Sequence, residues 1–306
     1  MRVTSQSFPA DLRVQLQTLS EQQVALQKQA ATGQRIHTIS DDPRAIRQTL
    51  ELQSEARLVE QYKSNITKVR EYVDISYANI SSLKKLSDRA GELATQVDKT
   101  KGKEALKAYS MEVNQLIEES VRLGNTKHRS GFLFAGTNNT SAPFTPTRDG
   151  NGKITSVAYN GNAKTITVDI AETSNVPVNF AGEGANGILK NSDSGADFIR
   201  HLIDLRDKID AEDFTGIKGT SLSNLRKDEE NFVNNFSLVG SIQSRMETAS
   251  AIMERRLMAL TPLISNESDA DLTDTLVRLN ELQNVYTAAL QTGSTLLRSS
   301  LLDYLR

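Results

Sequence analysis

From Leu12 onward, apolar and small residues recur at alternating steps of four and three: Leu12, Leu16, Leu19, then Gln23, Leu26, Ala30 and Gly33. That spacing predicts one amphipathic helix, with Gly33 as its stop. A second helix is expected to open at "SDDPRAIR", and it carries the longest seam of the chain. Leu52, Val59, Ile66, Val73, Ile80, Ser87 and Ala94 fall in one heptad row, and Tyr62, Val69, Ser76, Leu83, Ala90 and Val97 in the other. A 3.5-residue period held over that length specifies helix-on-helix packing with a left-handed supercoil. After a turn at "DKTKGKEA", Leu106, Tyr109, Val113, Leu116 and Leu123 predict a third helix that ends near Gly124.

At Ser130 the pattern changes. From there to about Gly187 the chain carries about half of its Gly and Pro in under a fifth of its length, and the runs "KITSVAY", "KTITVDI" and "VPVNF" alternate as strands do. "NGNA" between the first two runs predicts a hairpin joining them. Helical spacing returns at "SGADFIRHLIDLRDKI", and Leu225, Phe232, Val239, Met246, Met253 and Leu260 then hold one heptad row. Pro262 and "SNESDAD" are expected to interrupt that helix before a last one opens at Asp271 or Leu272. Along it Leu272, Leu279, Leu282, Tyr286, Ala289, Gly293, Leu296 and Ser300 face one way, and the small residues late in the row leave room for another backbone to approach.

The expected fold is mainly α: a long antiparallel helical bundle or coiled coil formed by N- and C-terminal arms, with a small β-rich domain inserted at mid-chain. Its parts are residues 1–40 with 268–306 as paired terminal helices, 41–135 with 190–267 as a bundle of long helices, and 136–189 as an outer β insertion. Composition agrees with burial in stripes, since only 38% of the 306 residues are apolar and 5% aromatic, with no Trp. A formal net charge of -2 argues against a surface built for phosphate backbones, so no nucleic acid is expected. Cysteine is absent, which excludes disulfides, thiol chemistry and Cys-rich zinc sites. The N-terminus lacks the continuous apolar stretch of a secretory signal, and no segment approaches the ~18 apolar residues of a membrane span.

The candidate chemistry is thin. Asp41 and Asp42 would need converging ligands to hold a metal, and only His37 stands nearby. The alternative reading is concrete: Asp42 caps the second helix, Pro43 takes its first position, and the carboxylates suit the helix dipole. "GEGANG" has the form G-x-G-x-x-G after a strand, but no helix opens on its glycines and no parallel crossover follows. His37, His128 and His201 fall on separate segments with no triad spacing, and read as surface or packing residues. Asn139-Thr140-Ser141 fits a glycosylation acceptor, a tripeptide common by chance. No catalytic, cofactor-binding or metal site is expected, so the reading is of a non-enzyme whose seams are interaction surfaces.

Four blocks carry a family resemblance: "LQKQAATGQRIHTISDDPRAI", "QYKSNI", "RSGFLFAGTNNTSAPF" and "SDADLTDTLVRLNELQNVYTAALQTGSTLLRSSLLDYL". Together they resemble the bacterial flagellin superfamily, over residues 1–136 and 222–306. Filament subunits typically carry Asp-Asp-Ala-Ala-Gly where this chain has "DDPRA". That difference, the "SLLDYLR" ending and the modest insertion are more similar to subunits joining hook to filament. A short filament flagellin remains the alternative, and an unrelated coiled-coil interaction protein the second.

The resemblance implies an extracellular tube subunit at the hook-filament junction of the flagellum, exported by the type III route without a cleaved signal peptide and not inserted in a membrane. Implied partners are copies of itself in a ring, hook-associated protein 1, flagellin, and an export chaperone on the C-terminal segment. The expected assembly interface pairs Leu12, Leu16, Leu19 and Leu26 with the last helix, through Leu272, Leu279, Leu282, Tyr286, Ala289, Gly293 and Leu296. Asp41, Asp42 and Pro43 form a helix-start hinge with "SNESDADLTD" as its counterpart. A terminal helix that buries one stripe is marginal alone. Residues 1–39 and 271–306 are therefore expected to order on assembly.

Overall fold

The structure, a computed structural model, describes residues 7–129 and 131–304, with side chains described over residues 10–129 and 131–295. Three helices come first: α1 (Ser7–Thr32), α2 (Pro43–Gln96) and α3 (Lys103–Gly124). Nine short strands follow: β1 (Lys127–His128), β2 (Gly131–Phe132), β3 (Phe144–Arg148), β4 (Ile154–Tyr159), β5 (Thr167–Ala171), β6 (Ser174–Pro177), β7 (Glu183–Gly184), β8 (Lys190–Asn191) and β9 (Ala196–Asp197). The chain then returns to helix in α4 (Phe198–Asp210), one turn of α5 (Phe214–Gly216), a π-helical turn at Ile217–Ser221, α6 (Leu222–Ser268) and α7 (Leu272–Tyr304). It divides into two compact units, Met1–Leu58 with Arg256–Arg306, and Val59–Arg255; α2 and α6 contribute to both.

The heptad rows are the core of the second unit. Val73, Ile80, Leu83, Ala90 and Ala94 of α2, and Val97 just beyond its end, are fully buried, as are Phe232 and Val239 of α6. Where apolar rows close, polar neighbours at the rim pair across them. Lys63 Nζ lies 3.1 Å from Glu254, Arg70 Nη2 lies 3.2 Å from Glu247, and the Gln243 amide donates to Asp74 at 2.7 Å. Such rim contacts each contribute little, while the buried rows supply the stability. α3 and α4 pack on each other, and the β3–β4 hairpin lies on this helical pair.

Three expectations are corrected. Pro262 lies inside α6, which continues to Ser268. Proline removes one backbone donor and crowds the preceding turn. The helix tolerates it here because Met258, whose carbonyl loses that donor, is 72% exposed and open to water. The expected hairpin between residues 153–159 and 164–170 does not form. Instead β3 pairs with β4 and β5 with β6, both antiparallel, and Asn162 in the "NGNA" segment accepts from the Thr137 amide at 3.0 Å. A long-range side-chain partner thus displaces the local turn. Finally, "VPVNF" is a strand only to Pro177, and Phe180 turns into the core.

The fold also holds a polar core that residue patterning did not reveal. Asp228 on α6, its side chain fully buried, accepts from the Asp197 amide at 2.9 Å and lies 2.7 Å from His201 Nδ1. Burial pushes the Asp228 carboxyl above the usual carboxylate range, against the opposing hydrogen bond from His201. Arg206 on α4 is 3% exposed; it donates to the Ile154 carbonyl at 2.8 Å and to Asn114 at 3.1 Å, tying β4 and α3 to α4.

Candidate assembly site

The first unit presents a pair of helices and the joint that holds them. In α1 the positions turned away from water are Leu12, Leu16, Leu19, Gln23, Leu26, Gln29 and Ala30, with Gly33 just past its end; the row that the spacing predicts is among them. In α7 they are Thr275, Leu279, Leu282, Tyr286, Ala289 and Gly293. The two helices pack together. Small residues matter where the backbones approach: a Cβ on Gly293 would lie 2.5 Å from Leu12 Cδ2. Leu12 therefore occupies the space that the glycine leaves.

Leu272 departs from expectation. It is 48% exposed, and Thr275 is the buried residue that opens the seam. At this level α1 has ended, and what stands opposite is backbone, with the Ala270 amide donating to the Gly33 carbonyl at 2.8 Å. No side chain of α1 is left to cover Leu272. The side chain of Leu296 lies outside the described residues.

The joint is built from both ends of the chain. Gly33 adopts a positive φ of 71° as α1 ends, a conformation that costs glycine nothing. The Arg35 amide then donates to the Ser268 carbonyl at 2.8 Å, its guanidinium to the Glu267 carbonyl at 2.9 Å, and Gln34 bridges Asp269. These backbone contacts tie "GQRIH" to the end of α6.

The two carboxylates divide the work at the next helix. Asp42 accepts from the Ala45 amide at 3.0 Å, so it caps α2, with Pro43 at the first helical position. Asp41 is a loop anchor instead: it accepts from the Thr38 hydroxyl at 2.6 Å and from the Thr38 and His37 amides at 2.8 and 3.0 Å. Asp271 repeats the capping device on the returning chain, accepting from the Thr273 amide at 2.9 Å.

Those donors, the Thr38 hydroxyl foremost, hold the Asp41 carboxyl down at about 2 from an ordinary 3.8. A depressed carboxylate contributes stability that is present above its unfolded value and is lost as the folded group protonates. The loop between α1 and α2 should thus keep its hydrogen bonds at pH 4 and lose them as the pH falls through about 2. Carboxyl-carbon NMR of Asp41 checks this; a midpoint at the unperturbed value would show that the anchor does not hold in solution.

No group of three or more metal-ligating side chains occurs among the described residues, and none of the described helices is long and apolar enough to cross a membrane. Outside the seam, Leu276, Val277, Val285 and Leu290 of α7 are each about half exposed.

Residues 6–139 match the bacterial flagellin N-terminal helical region. The matched stretch takes in α1, the loop that follows it, α2 and α3. No curated protein sequence matches the chain. Its fold is similar to that of a Vibrio parahaemolyticus protein described as flagellar hook-associated, with a TM-score of 0.64 and 16% identity over 75% of this chain and 100% of that one. It is also similar to Bacillus cereus FlgL (TM-score 0.58, 20% identity, 70% and 99% covered) and to Xanthomonas campestris FlgL (0.59, 14%, 70% and 99%).

Proposed function

We propose that this protein is a structural subunit of the bacterial flagellum, of the hook-associated protein 3 type, which joins hook to filament. The observation that carries the reading is the flagellin-type arm closed by its own returning helix. α1 and α7 share one seam and one hydrogen-bonded joint, yet α7 keeps half-exposed apolar residues around its remaining surface that neighbouring copies would cover. That arrangement suits a subunit that is finished only in an assembly.

On this reading the chain is not an enzyme. Its neighbours are further copies in a ring, hook-associated protein 1 on one side and flagellin on the other. An export chaperone covers the C-terminal segment before type III export without a cleaved signal, and the assembled protein is extracellular. Pro43, where filament subunits typically carry alanine, favours the junction role over a short filament flagellin.

Deleting the gene tests the function. Hooks should form without attached filaments, and flagellin should appear in the medium. Filaments of normal number on the deletion strain would overturn the reading. The same account expects residues 1–39 and 271–306 to order on assembly. In a verified monomer, amide exchange should be fast in these segments and slow in the central helices. Equal protection throughout would count against it.

A further inference from the structure

We propose that neighbouring copies of this chain join edge to edge through their β hairpins, the open edge of β4 in one copy receiving the open edge of β5 from the next. The proposal rests on the ring-subunit reading above for its biological setting.

The open edges follow from the hydrogen bonding. In the β3–β4 ladder the Asn160 amide donates to the Pro143 carbonyl at 2.7 Å, and Phe144 pairs with Tyr159 and Pro146 with Val157. Bonds between antiparallel strands alternate along the ladder, so the backbone groups of Phe144 point away from β4 and those of Val157 and Tyr159 point away from β3. Phe144 finds partners there, its amide donating to Asn125 Oδ1 at 2.9 Å and its carbonyl accepting from Asn125 Nδ2 at 2.7 Å. Among the described hydrogen bonds, nothing engages the backbone of Val157 or Tyr159.

β5 has the matching deficit. The Val178 amide donates to the Ile166 carbonyl at 2.9 Å, which turns Ile166 toward β6 and leaves the backbones of Thr165 and Thr167 facing outward. The alternation is confirmed at Asp169, whose outward carbonyl accepts from Asn65 at 3.0 Å. Thr165 and Thr167 have no such partner among the described bonds. Unpaired edges of this kind are templates for another strand.

Charge and shape choose the occupant. Beside the β4 edge lies a cavity of about 450 Å³, floored by Leu189, Ile199 and Ile203 and flanked by Asp204 of α4. Among the described residues Asp204 has no ionic partner. The approach to β5 presents Lys164, likewise without an ionic partner, and Ile166, which is 50% exposed. Two residues apart in extended chain, these side chains share one face. An incoming strand would thus bring an isoleucine to the apolar floor and a cation to Asp204. Because the two edges are different surfaces, the contact is head-to-tail, the kind that propagates around a ring. One strand pair buries too little to hold a dimer alone, so the contact acts alongside the terminal helices.

The chain has no cysteine, which makes cross-linking clean. Val157→Cys and Thr165→Cys variants, purified separately as full-length chains and mixed under mild oxidant, should yield roughly tenfold more disulfide dimer than either alone. Across a strand pair such residues fall within disulfide reach. Adding Asp204→Lys to the Val157→Cys chain should reduce the yield about tenfold by setting two cations together. Pairing it with a Thr165→Cys chain that also carries Lys164→Asp should restore it. Met111→Cys, on α3 and 60% exposed, provides the background. A mixture no better than that background, or a yield indifferent to both charge changes, would overturn the proposal. The Val157→Cys, Thr165→Cys double variant should also cross-link between neighbours at hook ends. Failure to attach to hooks would sink the ring-subunit reading alone, because the solution mixture judges the strand contact independently.

Discussion

Replacing Leu282 by Asp should abolish incorporation at the hook end while leaving the folded second unit intact. Leu282 lies in the middle of the seam that α7 shares with α1, and most of its surface is already withdrawn from water in the single chain. Assembly would withdraw the rest. A carboxylate there has no partner, since the facing positions of α1 are Leu16, Leu19, Gln23 and Leu26. Closing a seam over an uncompensated charge costs at least about 3 kcal/mol, roughly a hundredfold in each association step. Complementation of the deletion strain checks the first part, with filaments counted by electron microscopy. Denaturant unfolding of the purified variant checks the second. Filaments at wild-type number would remove the α1–α7 seam from the account of assembly.

Phe232→Ala should do the reverse. Phe232 is fully buried on α6 and meets Phe198 edge-on, with ring centroids 5.0 Å apart and planes at 89°. Removing it leaves a cavity that the surrounding side chains close only in part, at a cost of about 3–5 kcal/mol. For a unit of this size each kcal/mol lowers the melting temperature by about 2–4 °C, so the loss should be on the order of 10 °C. Thermal unfolding followed by circular dichroism reads the change directly. The terminal seam is untouched, so whatever variant protein remains folded at the growth temperature should still attach to hooks. A shift below about 3 °C would show that this aromatic contact is not a keystone of the second unit.

The two substitutions separate because they act on different units. Leu282 belongs with the terminal helices and Phe232 with the central ones. Asp42 and Asp271 mark the joints, where each chain direction changes helix and restarts it with a carboxylate cap.

Periodicity by itself determined the helices, because a heptad row is a local property: Val73, Ile80 and Leu83 announce the buried stripe of α2 whatever they pack against. Residue type located the cap at Asp42, and the small residues late in the last row announced the close approach at Gly293, where a small residue in an apolar row has a direct steric meaning. Leu272 shows the boundary of that logic. Its place in the row is correct, but the partner helix has already ended, and only the course of the other arm decides that.

Strand pairing was not legible for a related reason. The runs around β4 and β5 are strands in themselves, but which edges meet depends on Asn162 reaching Thr137 and on β3 arriving from 144–148. The tertiary structure alone also decided that His201 and Asp228 form a buried pair, that Arg206 ties three elements together, and that α6 carries Pro262 without breaking. Each of these is a contact or an exposure between residues distant in the chain, whose energy depends on burial and geometry and not on any repeating period.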